Sequence, residues 1–347
     1  MQPPTSVSAR LLDWYGAHAR LLPWRSAPGT SPPDPYRVWL SEIMLQQTTV
    51  AAVAPRYARF LHRWPTLHAL AEAPEEEVMA EWAGLGYYRR ARALIACARD
   101  LASAGGFPAD EVALRRLPGI GNYTAAAIAA IAFGHRAVVI DANVERVVAR
   151  LGAIGDPLAQ ARPAIRAAVD RLTPERRAGD FAQAMMDLGA TICTPRAPRC
   201  LVCPLRQDCR AAAGGAPERY PVKAPRGERP LRKGRAYFID RGDAVWLVRR
   251  VAGGMLGGMR ALPDDGWGAR QDGHGRAPLV GSWREAGRVD HAFTHFRLEL
   301  EVLSCRADHG TGAGEWWPLD RLPAAGLPTV FARAARLVVA SIEEPGT

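Results

Sequence analysis

Four cysteines crowd into one short stretch, Cys193-x6-Cys200-x2-Cys203-x5-Cys209, while Cys97 and Cys305 stand alone. In an intracellular chain a tight cluster points to metal chemistry rather than to a disulfide framework. Four thiolates this close can each ligate one iron of a [4Fe–4S] cluster. A structural zinc site is the alternative. Zinc sites usually present two short C-x-x-C-like pairs, and the single pair with two wider gaps favours the iron–sulfur cluster. Arg196, Arg199, Arg206 and Arg210 interleave the cysteines. A cluster that folds this loop would offer those cations to a phosphate backbone, unless they are merely solvated.

A second stretch with chemical potential is "LPGIGNYTAAAI" at 117–128. In a short turn between helices, Gly119 and Gly121 are able to take positive φ and let a backbone approach closely. The amides that open the following helix then point outward, where they bind phosphate oxygens without reading sequence. An ordinary helix connection is the alternative. Two carboxylates complete the set. Glu42 shares an i, i+4, i+7 face with Val38 and Leu45. Apolar surroundings there would raise its pKa and keep it protonated; a salt-bridged surface glutamate is the other reading. Asp141 precedes "ANVERVVARL", in which Val144, Val147, Val148 and Leu151 make a helical face, so it is a plausible N-cap. A helix N-terminus favours negative charge on such a residue.

These groups need elements to hold them. Residues 7–22 and 36–47 carry apolar residues at helical spacing, and helical patterns continue to about 192, broken by "GLG", "GG", "LPGIG" and "GDP". "AVVI" at 137–140 is either a short strand or a buried connection. Residues 212–234 are rich in Pro, Gly and charge and read as a linker. Beyond it, "AYFID", "AVWLVRR" and "FRLELEVLSC" alternate like strands, and "TVFARAARLVVASI" is helix-like. The expected organisation is therefore multi-domain. An all-α domain occupies 1–211, with a helix–hairpin–helix at about 114–130 and the cysteine loop at 193–209. A linker follows at 212–234, then a smaller α+β domain at 235–347.

The chain has 347 residues and a formal net charge of +10, with Arg far outnumbering Lys. That balance suits a polyanionic partner, although a compositional bias toward Ala, Arg and Gly would also produce it. The longest apolar stretches, such as 124–133, fall well short of the roughly 20 residues a membrane span needs. The N-terminal "MQPPTSVSARLLDWYG" lacks the basic-then-apolar layout of a signal peptide. A soluble, cytoplasmic protein without a membrane partner is expected.

"LPGIG", an Asp about 20 residues downstream and the cysteine spacing together resemble the helix–hairpin–helix DNA glycosylases that carry an iron–sulfur cluster. "LPWR" (22–25), "VWLSEIMLQQT" (38–48), "AGLGYYRRAR" (83–92), "IDANVERV" (140–147), "MMDLGATICTPRAPRC" (185–200) and "HAFTHF" (291–296) narrow the match to the MutY family of adenine-DNA glycosylases. The resemblance covers nearly the whole chain. It implies a monomer that acts on double-stranded DNA and removes adenine mispaired with 8-oxoguanine or guanine. Bound to DNA, it would sit at the nucleoid.

A base-excising enzyme must extrude its nucleotide from the duplex, and glycosylases are the standing example of that rule. Bond cleavage through an oxocarbenium-like sugar suits an acid for the leaving group and an anion beside the cation. The resemblance assigns the acid to Glu42 and the anion to Asp141, with Asn143 positioning groups around the sugar. The family usually reads D-G-N where this chain has Asp141-Ala142-Asn143, so Ala142 would be strained if positive φ were required. Related bifunctional enzymes such as endonuclease III carry a lysine at the position of Tyr123. A tyrosine cannot form their Schiff base, so little or no strand-cleaving lyase activity is expected. Trp24, Arg25, Leu45 and Asp187 match adenine-pocket positions, and Gln47 and Tyr87 match residues that wedge into the stack. In the second domain, which resembles a MutT-like (NUDIX) fold, Phe293, Thr294 and His295 match a loop that reads 8-oxoguanine; the middle residue there is commonly Ser. Arg284-Glu285 is followed by Ala-Gly-Arg-Val rather than by a metal-binding carboxylate run, so nucleotide hydrolysis is not expected. A non-catalytic damage sensor is the remaining competitor, and the presence of both Glu42 and Asp141 opposes it.

Overall fold

The computed structural model describes residues 6–82, 85, 87–223, 229–251, 255–293 and 295–343. Two compact units emerge, Met1–Pro225 and Arg226–Thr347.

Unit 1 is helical. Its helices are α1 (Val7–His18), α2 (Pro35–Leu45), α3 (Val50–Arg63), α4 (Leu67–Glu72), α5 (Glu75–Glu81), α6 (Tyr88–Ser103), α7 (Glu111–Leu114), α8 (Asn122–Ile131), α9 (Ala142–Gly152), α10 (Leu158–Leu172), α11 (Ala178–Thr191) and α12 (Arg210–Ala213). Side-chain caps fix several starts. Ser6, Thr49 and Thr66 accept from the amides of Ala9, Ala52 and Ala69. Asp34 accepts from Tyr36 and Arg37, with Pro35 at the first helical position, where its missing N–H costs nothing. Trp39, Tyr57, Phe60 and Trp82 fill the core without exposed surface. Residues Thr124–Ile131 of α8 are all buried, because small alanines let neighbours close around the helix. A side chain on Gly179 of α11 would collide with the Ala130 carbonyl, so α8 and α11 meet backbone to backbone. "AVVI" at 137–140 is not a strand; it is a connection that buries Ala137 and Val139.

The helical unit extends past residue 211, where the linker was expected to begin. Residues 217–219 form a short 3-10 turn, the Leu158 amide donates to Val222 O at 2.9 Å, and Tyr220 O accepts from Arg150 Nε at 3.1 Å. Pro and Gly content announced irregular backbone here, but irregular backbone can still be packed when its carbonyls are used.

Unit 2 has one mixed sheet built from β1 (Leu231–Asp240), β2 (Ala244–Arg249), β3 (Arg260–Ala261), β4 (Arg284–Ala292), β5 (Arg297–Arg306) and β6 (Gly314–Pro318). The strand order is β3-β2-β1-β5-β4, with β6 also pairing β2. β1 and β5 run parallel, from Leu231 opposite Arg297 to Asp240 opposite Arg306; the other pairs are antiparallel. Helix α13 (Thr329–Glu343) packs across β4, β1 and β5. Phe238, Trp267, Phe296 and Phe331 form the centre of this core. Among the described residues no helix is long and apolar enough to cross a membrane.

Gly234 in β1 faces the Trp267 ring, and any Cβ there would overlap it. Gly234→Ala is therefore expected to destabilise unit 2 by about 1–3 kcal/mol through overpacking. Thermal unfolding of the full chain followed by tryptophan fluorescence measures it; an unchanged transition would contradict this packing.

Candidate active site

Helix α2 puts Val38, Glu42 and Leu45 on one face. Glu42 is 7% exposed and lines a cavity of about 470 Å³ with Tyr123, Asp141 and Asn143. Its carboxyl is pushed up from 4.5 to about 7, first by desolvation, with Asp141 adding to the rise. A hydrogen bond with Tyr123 and the more distant Arg25 charge act the other way. The half-buried Tyr123 phenol is pushed well above its usual value, by desolvation first and then by the neighbouring carboxylates. Its hydroxyl also stands 4.0 Å from Met186 Sδ. Among the described residues, no lysine lines this cavity.

Asp141 is the N-cap of α9. Its Oδ1 accepts from Val144 N at 2.7 Å and its Oδ2 from Asn143 Nδ2 at 2.7 Å. Both oxygens face donors at the N-terminal end of the helix. Ala142 is the first residue of α9 and is not among the residues with positive φ, so replacing glycine there brings no strain. Asn143 is held from behind. Its Oδ1 accepts from Arg146 Nη2 at 2.8 Å, and Arg146 in turn donates to Gly189 O at 2.7 Å and Cys193 O at 2.8 Å. A Cβ on Gly189 would come within 2.5 Å of Asn143 Cβ, so α11 presses directly on this residue.

The rest of the cavity includes Trp24, Arg25 and Leu45. Trp24 stands edge-on to Tyr57, ring centres 5.2 Å apart. Asp187 is fully buried and lies behind the cavity wall. Arg25 Nη1 reaches its Oδ2 at 2.8 Å, and Arg20 Nε its Oδ1 at 2.6 Å. Arg20 and Gln183 also line the cavity, and the sequence reading did not single them out. Gln183 Oε1 is buried without a hydrogen-bond partner. Its signal was present: Gln183 precedes Asp187 by one helical turn, a polar pair on an otherwise apolar helix face.

Gly119 and Gly121 part company. Gly119 has φ +76, and a Cβ there would lie 2.9 Å from Ala93 Cβ. Gly121 has φ −91 and ψ 179 and is the N-cap of α8 without a side-chain hydrogen bond. The expected positive φ therefore holds only for the first. Gly121 instead leaves the opening amides of α8 uncovered by any side chain. Gln47 lines the cavity rim, and Tyr87 is exposed outside it.

Cys193, Cys200, Cys203 and Cys209 line one small cavity together with Arg150 and Pro198. Arg150 Nη1 donates to Cys193 Sγ at 3.3 Å. Among the described residues no group of three or more His, Cys, Asp or Glu is arranged to hold a metal ion. The thiols stand around a space rather than meeting at a point. In unit 2, Phe293 stacks on Phe296, ring centres 4.6 Å apart, and also meets the Trp267 and His291 rings. His295 is exposed, and Thr294 lies outside the described residues. Arg284 and Glu285 open β4.

A buried carboxyl and a helix-capping carboxylate share one cavity beside a glycine hairpin, in an all-helical unit followed by a mixed-sheet unit. Residues 40–172 match the HhH-GPD superfamily of base excision DNA repair proteins, and residues 235–337 match the NUDIX domain. The structure of a thermostable thymine-DNA glycosylase superposes with a TM-score of 0.53 at 29% identity, covering 60% of this chain and 95% of that one. The protein is thus a helix–hairpin–helix DNA glycosylase with a NUDIX-like second unit. The adenine DNA glycosylase of Homo sapiens is 33% identical over 99% of this chain and 75% of its own length. That of Mycolicibacterium smegmatis is 44% identical over 60% of this chain and 70% of its own. The chain belongs to the adenine DNA glycosylase family.

The raised Glu42 carboxyl has a consequence for stability. Between 4.5 and about 7 the folded state binds a proton that the unfolded state has released, so wild-type stability falls as pH rises through that window. Glu42→Gln lacks this component. Its stability advantage over wild type is expected to grow between about pH 5 and about pH 8, on the order of 3 kcal/mol at most. Urea unfolding at the two pH values checks it.

Proposed function

We propose that this glycosylase hydrolyses the N-glycosidic bond of adenine mispaired with 8-oxoguanine or guanine in duplex DNA. The observation that carries the reading is the contrast between two carboxyl groups on one cavity wall. Glu42 is desolvated and poised at about 7, suited to give its proton to the departing base. Asp141 is held in place by Val144 N and Asn143 Nδ2, so that its carboxyl group faces the sugar cation. As the glycosidic bond breaks, its electron pair leaves with the protonated adenine. Water then adds to the sugar and loses a proton. Gln183, with its unpaired Oε1, is an acceptor for an exocyclic amine. Arg25, oriented by Asp187, is a donor for a ring nitrogen. Trp24 and Leu45 give the base apolar walls.

Gln47 and Tyr87 are the residues that enter the stack when the base leaves it. Gly119 and the uncapped start of α8 receive backbone phosphate. In unit 2 His295 reads the oxidised guanine, and its sequence neighbour Thr294 shares that role; Phe293, packed on Phe296, supports His295. Cys193, Cys200, Cys203 and Cys209 would hold a [4Fe–4S] cluster through their thiolates, since all four line a common cavity. The cluster would cross-link residues 193–209 and thereby hold the loop's arginines in place. The protein acts as a monomer.

The base-excision assay uses excess protein on an end-labelled duplex with adenine opposite 8-oxoguanine, each time point split between alkali and no treatment. Strand cleavage is expected only after alkali, since Tyr123 supplies no amine. Cleavage without alkali would refute the monofunctional reading. Glu42→Gln is expected to bind the duplex and lose excision by about 10²–10⁴-fold. Binding without excision by the wild type would instead favour a damage sensor.

The single-turnover rate is expected to fall as pH rises above about 7, where Glu42 loses its proton. Cys200→Ser, or stripping of iron with a chelator, is expected to abolish visible absorbance and weaken duplex binding while leaving the Glu42-dependent pH profile of any residual activity unchanged. A colourless wild type containing zinc would overturn the cluster assignment.

A further inference from the structure

Gln47 (φ 56) and Tyr87 (φ 50, ψ 56) both adopt the left-handed conformation, and neither is glycine. Such residues persist only where surrounding contacts over-determine them. Both are exposed, so burial of their own side chains does not hold them.

One guanidinium does. Arg90 Nη1 donates to Ile43 O at 3.1 Å, to Met44 O at 3.3 Å and to Gln46 O. Its Nη2 donates to Thr48 Oγ1 at 3.3 Å and to Leu85 O at 3.0 Å. Ile43 and Met44 lie in the last turn of α2, where carbonyls lack intrahelical partners, and a cation suits that end of a helix. The residues on either side of Gln47 are thus both held. Leu85 lies two residues before Tyr87, the Arg90 amide donates to Tyr87 O at 2.7 Å, and the guanidinium carbon is 5.4 Å from the Tyr87 ring centre. A single side chain therefore binds the turn after α2 to the turn before α6.

We propose that Arg90 is a positioning residue for base extrusion. It holds Gln47 and Tyr87 in the strained, outward conformations from which they enter the duplex, and acts through them rather than on the reacting atoms. The inference rests on the reading of those two residues as the wedge. Without the clamp each backbone relaxes to an ordinary conformation and its side chain swings away. Lysine cannot replace it, because one ammonium lacks the planar fork of donors that spans these acceptors.

The test uses the full-length protein and a duplex with 2-aminopurine at the adenine position, whose fluorescence rises when the base unstacks. Arg90→Met is expected to slow the fluorescence rise and single-turnover excision by about ten-fold or more, with the pH profile of excision unchanged. Arg90→Lys is expected to stay closer to Arg90→Met than to wild type, and it carries the comparison should Arg90→Met not fold. In a Gln47→Ala/Tyr87→Ala background Arg90→Met is expected to add little further loss, as a residue acting through those two must. Extrusion at the wild-type rate by both Arg90 variants overturns the proposal. So does a further loss of full size in the double-alanine background, which marks a general structural role. If the double-alanine protein itself extrudes normally, the wedge reading fails and the Arg90 inference with it. Slow double-alanine extrusion with normal Arg90→Met extrusion refutes the inference alone.

Discussion

Arg150, 1% exposed at the C-terminal end of α9, donates to the carbonyls of Thr194 (2.7 Å), Pro195 (3.1 Å), Cys193 (3.2 Å) and Tyr220 (3.1 Å), and to Cys193 Sγ. A buried charge is tolerable only when its donors are satisfied, so the start of the cysteine loop and the end of α9 must be built together. One turn earlier Arg146 repeats the device with Gly189 and Cys193 carbonyls and passes it on to Asn143. Asn143 then fixes Asp141. The orientation of the helix-capping carboxylate thus depends on carbonyls contributed by a loop some fifty residues further along the chain.

The same unit treats its carboxyl groups in opposite ways. Asp187 has no exposed surface but meets two guanidinium groups, which offset its desolvation. Glu42 is almost as buried and has a phenol as its neighbour. Water is the better solvent for a carboxylate, so Glu42 keeps its proton to about 7. Close contacts at Gly179 and Gly189 pack α11 directly against α8 and α9.

Much of this was legible in the sequence. The face shared by Val38, Glu42 and Leu45 allowed either an inward carboxyl or a salt-bridged surface one, and the structure turns it inward. An aspartate ahead of "ANVERVV" announced a helix cap, and the strand-like alternation after residue 235 announced a second unit. Composition misjudged residues 212–223, because Pro and Gly report irregular backbone and not detachment. Torsion angles were equally hidden at Gly121, which is extended, and at Gln47 and Tyr87, which are left-handed although neither is glycine.

Sequence by itself determined which groups exist and how they are spaced: two carboxyl groups, a glycine hairpin, a tyrosine just inside the helix that follows it, and four cysteines within seventeen residues. Spacing along a helix or turn is local geometry, and local geometry follows from residue types. Only the tertiary structure decided the environments: that Glu42 is desolvated, that Asp187 stands behind Arg20 and Arg25, that Gln183 joins the cavity, and that Arg90, Arg146 and Arg150 donate to backbone carbonyls. Arginine on a helix usually faces water, and nothing in its neighbours along the chain says otherwise. Burial and carbonyl partners come from segments distant in sequence, and those meet only when the chain folds.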